Sequence, residues 1–150
     1  MDKAIDIKRR AQRCIQDGDL EGALREYEKL VHSDESDPYH YVLLADLLYK
    51  KGDVGEATER YLTAVGVYEK SGLYKNAIAV CKKMLRLSLA PDQTLQALAR
   101  LHALDGLDGE AARYQVECAE HRLRDGAPAG AAEAFQQAFE LCPDQVALLE

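Results

Sequence analysis

Cys118 and His121 stand at i and i+3, the spacing at which two side chains share a helix face and could offer a thiolate and an imidazole to one metal ion. A structural metal site needs four such ligands, and no second pair in the chain has matching spacing. The pair therefore reads as a core thiol beside a surface imidazole. The remaining histidines, His32, His40 and His102, are scattered along the sequence. Cys14 would need a neighbouring base to act as a nucleophile, and its place on an apolar face predicts a buried, inert thiol. The run Asp34-Glu35-Ser36-Asp37 holds carboxylates that could do general acid or base work, but an acidic run on a loop reads as solvated surface. Gly52-Asp53-Val54-Gly55 has the outline of a phosphate-cradling loop and lacks both the preceding strand and the phosphate-binding lysine. No catalytic set, metal site or cofactor site is expected, and the chain is read as a non-enzyme.

The elements that would position any site are set by a ladder of glycines, each followed five residues later by alanine: Gly18/Ala23, Gly52/Ala57, Gly72/Ala77, Gly106/Ala111 and Gly126/Ala131. The glycines are spaced by 34, 20, 34 and 20 residues, so the repeating unit is 54 residues. A fixed register of this kind means one supersecondary unit copied in tandem, each copy too small to bury its apolar face alone. Four residues beyond the alanines come Tyr27, Tyr61, Cys81 and Phe135, with Gln115 as the exception, and three further on come Leu30, Ala64, Met84, Cys118 and Ala138. These offsets trace one face of a helix.

Glycine can close a helix in the left-handed conformation, so each rung predicts a helix end. The expected helices run from Asp2 to Asp17, Leu20 to His32, Pro38 to Lys51, Val54 to Ser71, Leu73 to Ser88, Asp92 to Asp105, Asp108 to Asp125 and Pro128 to Leu141, with a ninth from Asp144 onward. Pro38, Pro91 and Pro143 fall at helix starts, where a missing N–H costs nothing, and Asp92 and Asp144 are expected to cap. Short connections predict antiparallel neighbours and leave no linker, so residues 1–150 are read as a single quasi-linear repeat domain.

Composition agrees. The 150 residues are 47% hydrophobic and 30% charged, with four prolines, which excludes a disordered chain. No apolar run approaches the roughly 20 residues of a membrane span, and the charged start MDKAIDIKRRAQR is unlike a secretory signal, so a cytoplasmic protein is expected. Cys14, Cys81, Cys118 and Cys142 lie in or beside expected helices without the loop spacing of a disulfide framework.

With the small residues Ala11, Ala45, Val65, Ala99 and Ala119 seven before each glycine, the Gly-Asp-Leu and Gly-Asp-Val turns, and Tyr27 and Tyr61 beyond the alanines, nearly the whole chain resembles the tetratricopeptide repeat. The resemblance is to a bacterial type in which a middle helix serves two successive repeats. Tyr41 and Leu95 stand where the family has its early tryptophan, and Gln115 replaces an aromatic. The resemblance implies an all-α, right-handed solenoid of antiparallel helices whose concave face binds a partner peptide or helix, and it implies no reaction. Carried over residue by residue, that groove would comprise Lys8, Gln12 and Ile15, then Tyr39, Val42, Leu43, Asp46 and Tyr49, then Leu62 with Gly66, then Gln96 and Arg100. Tyrosines, aliphatic residues and scattered charge suit an extended peptide or an amphipathic helix. In relatives that capture chaperone tails a lysine and asparagines hold the carboxylate; Lys8 matches, but Gln12 and Leu43 occupy the asparagine sites.

Charge is uneven. Asp17 to Asp37 holds eight acidic residues against Arg25 and Lys29, whereas Lys70 to Ala90 carries Lys70, Lys75, Lys82, Lys83 and Arg86 and no acid. A net charge of −7 repels nucleic acid, and an acidic protein is the better partner for that basic stretch. The segment CPDQVALLE begins one more first helix and stops, so an uncapped or truncated end is expected, and with it an alternative reading as a module that self-associates through its terminal helices.

Overall fold

Glycines, prolines and two aspartate caps mark most of the helix boundaries. A computed structural model describes residues 3–144, in which the helices are α1 (Ala4–Gln16), α2 (Leu20–Ser33), α3 (Pro38–Lys51), α4 (Val54–Lys70), α5 (Tyr74–Arg86), α6 (Pro91–Leu104), α7 (Asp108–Arg124) and α8 (Pro128–Leu141). Among the described residues there is no strand. All five ladder glycines have positive φ, from +73° to +101°, the left-handed geometry that a side chain would strain. Asp19 and Asp37 accept hydrogen bonds from the backbone N–H groups of Gly22 and Tyr39 at 2.9 and 3.0 Å, so they cap α2 and α3. Pro38, Pro91 and Pro128 open their helices.

Two expectations at these ends fail. Asp92 does not cap α6; the helix begins after Ala90, and Asp92 sits inside the first turn with its carboxylate turned toward α7. The expected helix to Ser88 stops at Arg86, because Ser88 and Ala90 both take positive φ, +58° and +42°. That turn is held by Thr94, fully buried, whose hydroxyl donates to the Leu89 carbonyl at 2.9 Å. The expected start at Asp2 and the ninth helix beyond Asp144 lie outside the described residues.

The helices group into two compact units, Met1–Ser71 and Gly72–Glu150. In the first, α1 packs on α2, α2 on α3 and α3 on α4; in the second, α5 packs on α6, α6 on α7 and α7 on α8. Connections of two to four residues within each unit leave successive helices only the antiparallel arrangement. The ladder supplies the cores. Ala23, Ala57, Ala77, Ala111 and Ala131 are buried, as are Leu30, Ala64, Met84, Cys118 and Ala138 below them and the small residues Ala11, Ala45, Val65, Ala99 and Ala119 opposite. Alanine at a helix contact lets two backbones approach closely, and each fully buried Leu or Met beside it contributes about 1.5–3 kcal/mol. The α1 stripe is narrower than expected: Ile7 and Ala11 are buried, Cys14 and Ile15 only partly, and Ile5 is exposed. Cys14 is therefore not the enclosed thiol its position suggested.

Candidate functional site

The third helix presents a stripe outward. Tyr39, Val42, Leu43, Asp46, Tyr49 and Lys50 recur at the intervals that place side chains on one face. Tyr39 and Tyr49 are 51% and 37% exposed, so each keeps part of its ring at the surface. Beside the stripe lies an open cleft of about 230 Å³ lined by Ile15 of α1, Tyr27 of α2, and Leu43, Asp46, Leu47 and Lys50 of α3. Its floor is apolar and its edge carries one carboxylate and one ammonium.

The cleft is fixed from behind. The Tyr61 hydroxyl of α4 donates a hydrogen bond to Asp46 Oδ1. Burial and that bond push the Tyr61 phenol far above its ordinary range, so it stays a donor at any relevant pH. Tyr27 is raised as well, first by burial and then by the neighbouring Tyr39 and Asp46. At the other end the Lys8 ammonium lies 5.7 Å from the centre of the Tyr39 ring, a cation–π contact that steadies an otherwise exposed aromatic.

Of the residues expected in a groove, the structure gathers Ile15, Leu43 and Asp46 on this cleft and joins Lys8 to Tyr39. Gln12 is exposed on α1; Val42 on α3, and Leu62 and Gly66 on α4, are half-buried. Gln96 and Arg100 belong to α6 in the second unit, where the Gln96 amide donates to Asp92 Oδ2 at 3.2 Å and Arg100 is exposed. Sequence reasoning missed Tyr27, Leu47 and Lys50 as lining residues. Lys50 was open to discovery at i+4 from Asp46; Tyr27 and Leu47 were hidden because both also serve the core.

The groups that suggested chemistry pair with different carboxylates. The Cys118 thiol faces Asp92 Oδ1 at 3.5 Å, whereas His121 Nε2 pairs with Asp125 at 3.1 Å. Burial, helped by Asp92, pushes the Cys118 thiol up to about 11, so it stays protonated and unreactive at neutral pH. His121 is half-buried rather than a surface imidazole. Arg122 ties the helices of the second unit together: its guanidinium donates to Asp92 Oδ1 at 2.8 Å and to the Gly130 carbonyl at 2.9 Å. Burial would raise the Asp92 carboxyl, but the hydrogen bonds from Arg122 and Cys118 outweigh it and hold the group below its ordinary range. Among the described residues no cluster of three or more His, Cys, Asp or Glu is placed to hold a metal. Nor is any described helix long and apolar enough to cross a membrane.

Residues 9–68 match the family described as Tetratricopeptide repeat. The same rungs continue, buried, through Ala131 and Ala138, so the resemblance to tetratricopeptide-repeat proteins extends beyond the matched residues. That family is in general a non-enzymatic, protein-interaction fold. No curated protein matches the chain. Among solved structures it is similar to MamA 41-end from Desulfovibrio magneticus RS-1, at 21% identity over 97% of this chain and 98% of that one, with a TM-score of 0.41. It is similar to YrrB, titled a TPR protein with an unusual peptide-binding site, at 19% identity over 97% and 90% of the two chains, TM-score 0.39. A third is TTC0263, a thermophilic TPR protein in Thermus thermophilus, at 19% identity over 97% and 95%, TM-score 0.37.

Proposed function

We propose that the chain is a non-catalytic scaffold whose first unit binds a peptide or helix of a partner protein along the outward stripe of α3. The observation that carries this reading is the pair of exposed tyrosines, Tyr39 and Tyr49, flanking an open apolar cleft on one helix face. Aromatic residues give large contact area for little lost rotamer freedom, which is why they dominate binding hot spots. A partner would lay aliphatic or aromatic side chains against Ile15, Leu43 and Leu47, with Asp46 and Lys50 fixing its register by charge. Gln12, Val42 and Leu62 would extend that surface, and Gln96 and Arg100 would belong to any continuation on the second unit.

The test is selection of random phage-displayed peptides on the whole protein, followed by affinity measurement against Tyr39→Glu/Tyr49→Glu. Both residues are exposed, so circular dichroism should show the variant folded. The expected outcome is an enriched apolar pool that loses about tenfold or more in affinity for the variant. Equal binding to both proteins would sink the reading, as would recovery of no apolar pool.

A further inference from the structure

The 54-residue period sets each position of the α2–α3 seam against one in the α5–α6 seam. In the first, Lys51 bridges to Glu21 and also lies 3.4 Å from Asp53, closing the seam with charge, and Leu48 is buried beneath. In the second, the residues in register are Lys75 for Glu21, Lys82 for Glu28, Asp105 for Lys51, Leu107 for Asp53 and His102 for Leu48. The charges are reversed or removed, and among the described residues no salt bridge joins Lys75, Lys82 or Asp105 to a partner. The result is a cavity of about 300 Å³ lined by Lys75, Ile78, Ala79 and Lys82 of α5, His102 and Asp105 of α6, and Leu107.

Three features of this cavity are those of a binding site rather than of a packing seam. Lys75 and Lys82 lie two turns apart on one exposed face of α5, a helix that also carries Lys83 and Arg86 and no acid. Between them the wall is apolar, with Ala79 exposed and Leu107 45% exposed opposite. His102, 93% buried in the same wall and stacked on Tyr114 with ring centres 5.2 Å apart, has no hydrogen-bond partner at either ring nitrogen. A buried imidazole without partners is costly, and the internal copy shows that leucine fills the position.

We propose that the α5–α6 seam is a second binding site, distinct from the stripe on α3, and that it takes an acidic peptide segment in which a Glu or Asp stands beside an apolar residue. The carboxylate answers Lys75 and Lys82; the apolar neighbour answers Ala79, Ile78 and Leu107. Nucleic acid fits less well, because a run of phosphates would leave the apolar wall of Ile78, Ala79 and Leu107 unused and meet Asp105 in the lining.

Random phage-displayed peptides selected on the whole protein supply the probe. The expected result is a pool rich in Asp or Glu next to Leu, Ile or Val, losing about tenfold or more in affinity for Lys75→Glu/Lys82→Glu and for Ala79→Glu, while binding Tyr39→Glu/Tyr49→Glu normally. These substitutions are at exposed positions, so folded variants are expected. Saturation with the strongest peptide of that pool should shift the His102 imidazole nitrogens in an NMR spectrum. The proposal is overturned if no acidic pool is enriched, if such a pool binds the Lys75→Glu/Lys82→Glu variant unchanged, or if the His102 signals stay still at saturation. It is equally overturned if a single-stranded oligonucleotide, and not the peptide, is what these substitutions release. A pool lost only with the tyrosines would support the α3 site and leave this one refuted, so the two readings fail separately.

Discussion

The α2–α3 seam and the α5–α6 seam are the same joint built twice, and they resolve the same problem in opposite ways. The first spends Lys51, Glu21 and Asp53 on each other and fills its base with Leu48. The second leaves Lys75, Lys82 and Asp105 without salt bridges among the described residues, exposes Leu107 and buries an unpartnered His102. A repeat fold tolerates this because each joint is stabilised chiefly by its own ladder of buried alanines and aliphatic residues, which both copies keep. The seam charges are therefore free to diverge. Where a copy departs from the apolar, self-paired solution without a packing gain, a role outside packing is the physical alternative.

The comparison can be broken most forcefully by moving the histidine. Leu48→His places a polar ring in a site that is 3% exposed, losing apolar burial and stranding two nitrogens, and should cost about 3 kcal/mol in urea unfolding. A cost near zero would mean that the α2–α3 seam accommodates polar groups as readily as its copy. The reciprocal change, His102→Leu, should stabilise by about 1 kcal/mol, because relief of two unsatisfied nitrogens exceeds the lost stacking on Tyr114.

That gain should grow on acidification. Burial pushes the His102 pKa below its ordinary 6.5, and Lys82 and Arg113 add to the effect against Glu110 and Asp105. A histidine depressed in the folded state contributes stability above its unfolded pKa that is lost as pH falls through the folded value. The difference between His102→Leu and the unmodified protein should thus be larger at about pH 5 than at about pH 8, where both are neutral. A difference independent of pH would show that the ring is not held neutral by its surroundings.

The smallest effect on stability belongs to the charges. Lys75→Glu/Asp105→Lys rebuilds the α2–α3 pattern in the second unit and should leave the unfolding midpoint almost unchanged, since exposed ion pairs contribute little. The same double variant should abolish capture of acidic peptides. A large shift in midpoint would mean that the seam is a stability element after all.

How much of this was legible beforehand follows from the range of the interactions. The glycine ladder specified helix ends because left-handed closure is a property of a single residue, and it specified the cores because the 3.6-residue period puts the rungs on one face. Asp92 defeated the same reasoning. Its place after Pro91 predicted a cap, but Arg122, thirty positions away, sits within 2.8 Å and claims the carboxylate. Of the groove residues, Ile15, Leu43 and Asp46 came from the family resemblance, while Tyr27 and Leu47 escaped it because both are also buried in the core.

The sequence by itself determined that this chain is a tandem array of helices, that the ladder glycines close turns between them and that the ladder alanines fill the joints, because propensity, capping and periodicity act over a few residues. Only the tertiary structure decided that Tyr39 and Tyr49 stay exposed, that Asp46 is held by Tyr61, that Lys51 closes one seam and that His102 is buried unpaired in the other. Those outcomes depend on which helix faces meet, and a polar group's partner is whatever the opposing face brings within about 3 Å.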